Sequence, residues 1–130
     1  MKISILLPYK ENFSPSYPGA VSLFVNDTSL LSKYKKKIVV FGSTKYKKKF
    51  DIKYINIDLG KKLIGSQSKE YINKFIKFEK KKRKSDLIEI HNRPNYLKFI
   101  SNKLNQRNYT LFFHNDPLSM EGSKSIIDRE

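Results

Sequence analysis

Cysteine is absent from this 130-residue chain, which excludes disulfides and thiolate metal sites. Glycine is scarce, with residues only at positions 19, 42, 60, 65 and 122. Their spacing forms neither G-x-G-x-x-G nor G-x-x-x-x-G-K-[ST], so a dinucleotide fingerprint and a P-loop are both missing. No G-x-S-x-G is present for a nucleophile elbow, and no Asp-x-Asp pair for a metal. No run of ~18 apolar residues exists to span a membrane. The segment 1–8 holds too little apolar sequence for an export signal. That predicts a cytoplasmic protein, in which the N-x-S/T triplets at Asn12, Asn26 and Asn108 have no role.

Acidic residues are also few, at 12 against 27 basic ones, for a formal net charge of +15. Of those 27, 23 are Lys and only 4 are Arg. Arg is the side chain that makes bidentate contacts with bases and phosphates, so its scarcity argues against a nucleic-acid reader. Two readings of the charge stand. One is a surface for phosphates or anionic lipid head groups; the other is a solvated surface shaped by AT-rich coding bias. The hydrophobic fraction of 38% lies below the usual ~45–50%, and 13% aromatic residues help to fill a core. The length suits one domain, residues 1–130.

Apolar runs with β-branched residues predict strands at 2–7 (KISILL), 37–41 (KIVVF), 86–90 (DLIEI) and 109–113 (YTLFF). The alternating run 54–59 (YINIDL) reads as a strand near a sheet edge. Pro18 and Pro94 stand where helices begin. Ala20, Val21, Phe24, Leu30, Leu31 and Tyr34 form the apolar stripe of the first helix, with Lys33 to Lys37 at its end. The clearest helix covers 66–84, with Tyr71, Ile72, Phe75, Ile76 and Phe78 on one face and Ser66 or Ser68 as its cap. Tyr96, Leu97, Ile100 and Leu104 mark another, and a last one opens around Ser123. Strands alternating with helices predict an α/β fold with a mostly parallel sheet covered on both faces.

In such a sheet, ligands bind outside the carboxyl ends of the strands. This selects 9–19, 91–94 and 114–119, and both histidines of the chain, His91 and His114, fall there. Each is either a strand cap or a site residue. Arg93, Asn115 and Asp116 beside them favour the site. A metal held by His91, His114 and Asp116 lacks any spacing signature. In the turn Tyr17-Pro18-Gly19-Ala20, Pro18 and Gly19 either merely shape the turn or, through Gly19, let the backbone N–H groups of a helix start approach a ligand.

The run KISILLP, a Pro-Gly-Ala loop opening a helix, KIVVFG, and then HNRP and HNDPLSM each following an apolar strand resemble the N-terminal domain of glycosyltransferase family 4. The resemblance covers most of the chain to about residue 125, and is weak over 44–84. It implies a three-layer Rossmann-like domain, one half of a GT-B fold, whose C-terminal donor domain is absent from this chain. It further implies a retaining transfer from a nucleotide-sugar donor to a glycan or lipid-linked acceptor, with no cofactor and no required metal. By position, Gly19 matches the loop near the donor phosphates, with Pro18-Gly19 replacing the usual double glycine. His114 matches the histidine near the transferred sugar. His91, Asn92 and Arg93 match a loop facing the cleft on the acceptor side, with Asn115 and Asp116 on the same wall. The Lys runs 35–37, 45–49 and 80–84 become candidates for an anionic membrane surface on the cytoplasmic side, at ~1 kcal/mol per Lys. The competing reading is a basic α/β nucleic-acid-binding module. A flavodoxin-like phospho-receiver is a third, but the first strand lacks the acidic cluster that it needs.

Overall fold

The computed structural model describes residues 1–60 and 67–114. The reading of Ser66 as a helix cap, the helix at Ser123, and the site residues Asn115 and Asp116 lie outside the described residues. Five strands run in parallel: β1 (Ile3–Leu6), β2 (Ile38–Gly42), β3 (Tyr54–Asn56), β4 (Leu87–His91) and β5 (Asn108–Phe112). Their order across the sheet is β3-β2-β1-β4-β5. Helix α1 (Ala20–Leu31) follows β1, α2 (Gln67–Phe78) follows β3, and α3 (Pro94–Lys103) follows β4. The result is the Rossmann-like α/β architecture that the alternation predicts. The order of connection reverses between β1 and β4, which makes their carboxyl ends the topological switch point.

The period-two alternation of the strands divides the core into two layers. Ile3, Ile5, Ile38 and Val40 pack with Val21 and Val25 of α1 on one face. Leu6, Val39, Phe41, Ile88 and Ile90 pack with Tyr71, Phe75 and Ile76 of α2 and Tyr96 and Ile100 of α3 on the other. Each such residue, once fully buried, contributes about 1.5–3 kcal/mol. Tyr71 is completely buried, and its hydroxyl donates to the Leu7 carbonyl oxygen at 2.7 Å. It thereby fastens α2 to the carboxyl end of β1 without leaving a polar atom unpaired.

Three elements differ from the sequence reading. Helix α1 stops at Leu31, and Lys35–Lys37 forms a separate 3₁₀ turn. Its buried face is Val21, Ser22, Val25, Asn26 and Ser29, not the large apolar stripe; Phe24, Leu30, Leu31 and Tyr34 stand exposed. The small serines leave little bulk between the helix and the sheet; Leu31 stands in solvent, while the half-exposed Phe24 lies over the carboxyl ends of β4 and β5. The edge strand β3 is three residues long. The third difference is at the end of α2, where the chain widens into a π turn at Glu79–Arg83 and stops at Lys84 in the left-handed region (φ 50°). Glu79 is turned fully inward, and Arg83 donates to Ser4 and to the carbonyl oxygens of Ile3 and Lys37. Arg83 therefore belongs to the fold, not to the solvated run 80–84.

Candidate functional site

The carboxyl ends of β1, β4 and β5 converge with the start of α1. Glu89 and His91 sit two residues apart on β4, so period-two alternation sends both side chains to the α1 face. Phe112 pairs with His91 in the sheet register, and its ring lies parallel to the imidazole at 4.9 Å between centroids. Phe24 of α1 meets the His114 ring edge-on at 4.8 Å. Apolar rings thus shield the histidines from water on two sides.

Within this shell the polar groups form a chain. Glu89 Oε1 lies 2.7 Å from His91 Nε2, and His91 Nδ1 lies 2.8 Å from His114 Nε2. A carboxylate oxygen only accepts, so His91 carries its hydrogen on Nε2 and its Nδ1 accepts. His114 must then donate from Nε2, which leaves its Nδ1 lone pair as the open end of the chain. His91 is completely buried, whereas His114 is only partly so. Burial holds the His114 imidazole below its ordinary value, and the neighbouring His91 ring adds to this; Glu11 and Glu89 pull the other way. At neutral pH the arrangement is a neutral imidazole, oriented from behind, that offers an acceptor.

The backbone around the pair is equally tied. Asn92 adopts the left-handed conformation (φ 56°), which Asn tolerates better than most residues. From there its Oδ1 accepts the His114 backbone N–H at 2.6 Å, while its own N–H donates to the Phe112 carbonyl oxygen at 2.8 Å. Asn92 thus locks the loop after β4 to the end of β5. Arg93 does not reach the pair; its guanidinium donates to the adjacent Asn92 carbonyl oxygen at 2.8 Å.

Gly19 caps α1 with no side-chain partner of its own, and the position in front of it is filled by Glu11. The Glu11 carboxylate accepts the Ser22 backbone N–H at 3.2 Å. A Cβ on residue 19 would stand 2.0 Å from Glu11 Oε2, so the glycine is what admits this carboxylate. The helix start, read from the sequence as a place for donor phosphates, is held by an internal anion. The loop bearing Glu11 is fastened in turn: Thr44 Oγ1 accepts from the Phe13 backbone N–H at 2.9 Å and from the Tyr54 hydroxyl at 2.8 Å. Burial pushes that hydroxyl up to about 12, so it remains a donor.

The structure therefore unites His91, His114 and Asn92, places Gly19 against Glu11, and turns Arg93 back on its own loop. Sequence reasoning missed Glu11, Glu89 and Phe24. Glu89 had a signal, an acidic residue interrupting an apolar strand two positions before a histidine. Glu11 and Phe24 had none, because their partners are distant in sequence. Among the described residues no group of three or more His, Asp or Glu side chains is placed to hold a metal ion. No helix of the described residues is long and apolar enough to cross a membrane. No protein-family model matches the chain, and a search of curated proteins finds no match either.

Proposed function

We propose that this chain is the acceptor-side domain of a retaining glycosyltransferase of the family 4, GT-B type. It would work with a second, donor-binding domain and transfer a sugar from a nucleotide-sugar to a glycan or lipid-linked acceptor. The observation that carries the reading is the Glu89–His91–His114 chain at the carboxyl edge of a parallel sheet, beside its switch point. An acceptor lone pair held there suits a hydroxyl of the transferred sugar. His114 is the residue that meets substrate, and His91 and Glu89 position it. Asn92 fixes the loop on which acceptor selection depends.

Contact between donor phosphates and the start of α1 requires Glu11 to swing away from Gly19, so donor binding and Glu11 compete for one place. The exposed lysines of 35–37 offer a surface for a membrane or an anionic acceptor. In the protein expressed from its complete coding sequence, His114→Ala lowers sugar transfer by about 10²-fold or more, the scale of a positioned acid–base or hydrogen-bonding group. The stability loss stays within about 1–3 kcal/mol, the cost of leaving the buried His91 Nδ1 without its donor. Unchanged transfer by the His114→Ala protein would show that the imidazole only closes the strand end.

A further inference from the structure

At the amino end of the sheet, opposite the histidines, the turn after α2 and the end of α3 border an open depression of about 330 Å³. Its wall carries Lys80, Lys84, Lys103 and Arg107, together with the side-chain amides of Asn105 and Gln106. Among the described residues no acidic one lines it. Glu79 is buried behind the wall, accepts from Ser4 and Ser85, and pairs with Arg107 but with none of the three lysines. Helix dipoles explain why lysines gather at helix ends. They do not explain why three lysines, Lys80, Lys84 and Lys103, share one concave wall.

Two features of the backbone and its packing shape this place. Arg107 on its floor is ion-paired with the buried Glu79, its Nε 3.9 Å from Glu79 Oε2, and its guanidinium donates to the Glu79 carbonyl oxygen at 3.2 Å, so the charge left over there belongs to the lysines. The π turn and the left-handed Lys84 that stops it bring Lys80 and Lys84 onto the same wall, an irregularity of the kind that marks functional sites. The Lys103 ammonium is steadied over the Phe99 ring at 5.7 Å. Cations left unneutralised in a concavity focus their field on an anion. The volume lies at the small end of ligand pockets, which span ~300–1,000 Å³.

From these observations we infer that the depression between the ends of α2 and α3 is a binding site for a small soluble polyphosphate, an anion with two or more phosphoryl groups. The ammonium groups supply point charges, and the side-chain amides supply directed donors to phosphoryl oxygens. The concave, one-sided wall suits a compact anion better than a nucleic-acid strand, which follows an extended groove. The inference is independent of sugar transfer, because the site shares no residue with the histidine chain.

The test is a calorimetric and NMR titration of the full chain with inorganic tripolyphosphate. Saturable binding of one anion per chain is expected, with shifts at the side-chain amides of Asn105 and Gln106. Lys103→Glu, at an exposed position, weakens binding by about tenfold or more, whereas Lys53→Glu, the same charge change beside edge strand β3, weakens it by less than about twofold. Absence of saturation at about millimolar concentrations, or equal loss in the two variants, would overturn the inference. So would a single-stranded oligonucleotide that binds more tightly than tripolyphosphate and ignores Lys103→Glu; that result would mark a diffuse basic surface.

Discussion

His91 Nδ1 lies 2.8 Å from His114 Nε2, although the two residues are 23 positions apart and close different strands. Glu89 on the far side of His91 fixes which nitrogen of each ring carries a hydrogen. Glu89→Leu therefore releases the His91 tautomer and costs about 1–3 kcal/mol, the price of a buried donor without its acceptor. Nitrogen-15 NMR reads the tautomer directly. The wild-type His91 shows one form, with its hydrogen on Nε2, and the variant shows a mixture or the opposite form. A variant with the wild-type tautomer would mean that Glu89 does not orient the pair.

Glu11 and Gly19 act as one unit, because the glycine makes room for the carboxylate that caps α1. The Gly19 backbone (φ −76°, ψ 165°) is open to any residue, so Gly19→Ala acts only by expelling Glu11. Gly19→Ala and Glu11→Ala each cost about 1 kcal/mol as lost caps. Together they cost little more than either alone, since they remove the same contact. Additive losses in chemical denaturation would separate the two residues. Glu11→Ala also vacates the helix start, so pyrophosphate binds that variant more tightly than the wild type.

The lowered His114 value gives stability a pH dependence of definite sign. The unfolded chain takes up a proton at this residue near its ordinary value of ~6.5, while the folded chain resists until lower pH. Stability is thus fully retained above ~6.5 and falls as the pH drops from there through the lowered folded value. Thermal melts between neutral and mildly acidic pH show this decline, and His114→Gln flattens it. An equal decline in the variant would place the effect in other groups.

At the other end of the sheet, Glu79 accepts from the hydroxyls of Ser4 and Ser85 and from the Ser85 backbone N–H at 3.0 Å. Arg83 donates to Ser4 Oγ at 2.7 Å, and so joins the same network. Glu79→Leu leaves these donors and the nearby Arg107 without their acceptor. It lowers stability by about 3–5 kcal/mol, as expected when one partner of a buried pair is removed. Chemical denaturation measures the loss; a change below about 1 kcal/mol, a surface value, would contradict it.

The strands, the edge position of β3, and the buried faces of α2 and α3 were legible in the sequence, since apolar periodicity reports burial wherever large side chains do the packing. Helix α1 was misread for the same reason. Its buried face joins Val21 and Val25 to Ser22, Asn26 and Ser29, which periodicity scores as exposed, while Leu30 and Leu31 face outward and Phe24 covers the histidines instead of the core. In the site, His91 and His114 were legible because strand-end positions mark the carboxyl edge of a parallel sheet. Their contact was not, because it depends on β4 and β5 being neighbours. The occupation of the α1 start by Glu11 was hidden too, since a loop residue eleven positions before Ser22 carries no local signature.

The most direct test of the sugar-transfer reading is an NMR titration of the two histidine rings with a panel of nucleoside diphosphate sugars. The account predicts that at least one of them binds, weakly in this chain alone, and shifts the ring signals of His114 and, through it, His91. The same ligand moves the backbone amides of Gly19 and Ser22 as Glu11 is displaced. If no member of the panel moves His114, or if shifts gather only on the lysine-rich surface far from β4 and β5, the sugar-transfer account is contradicted.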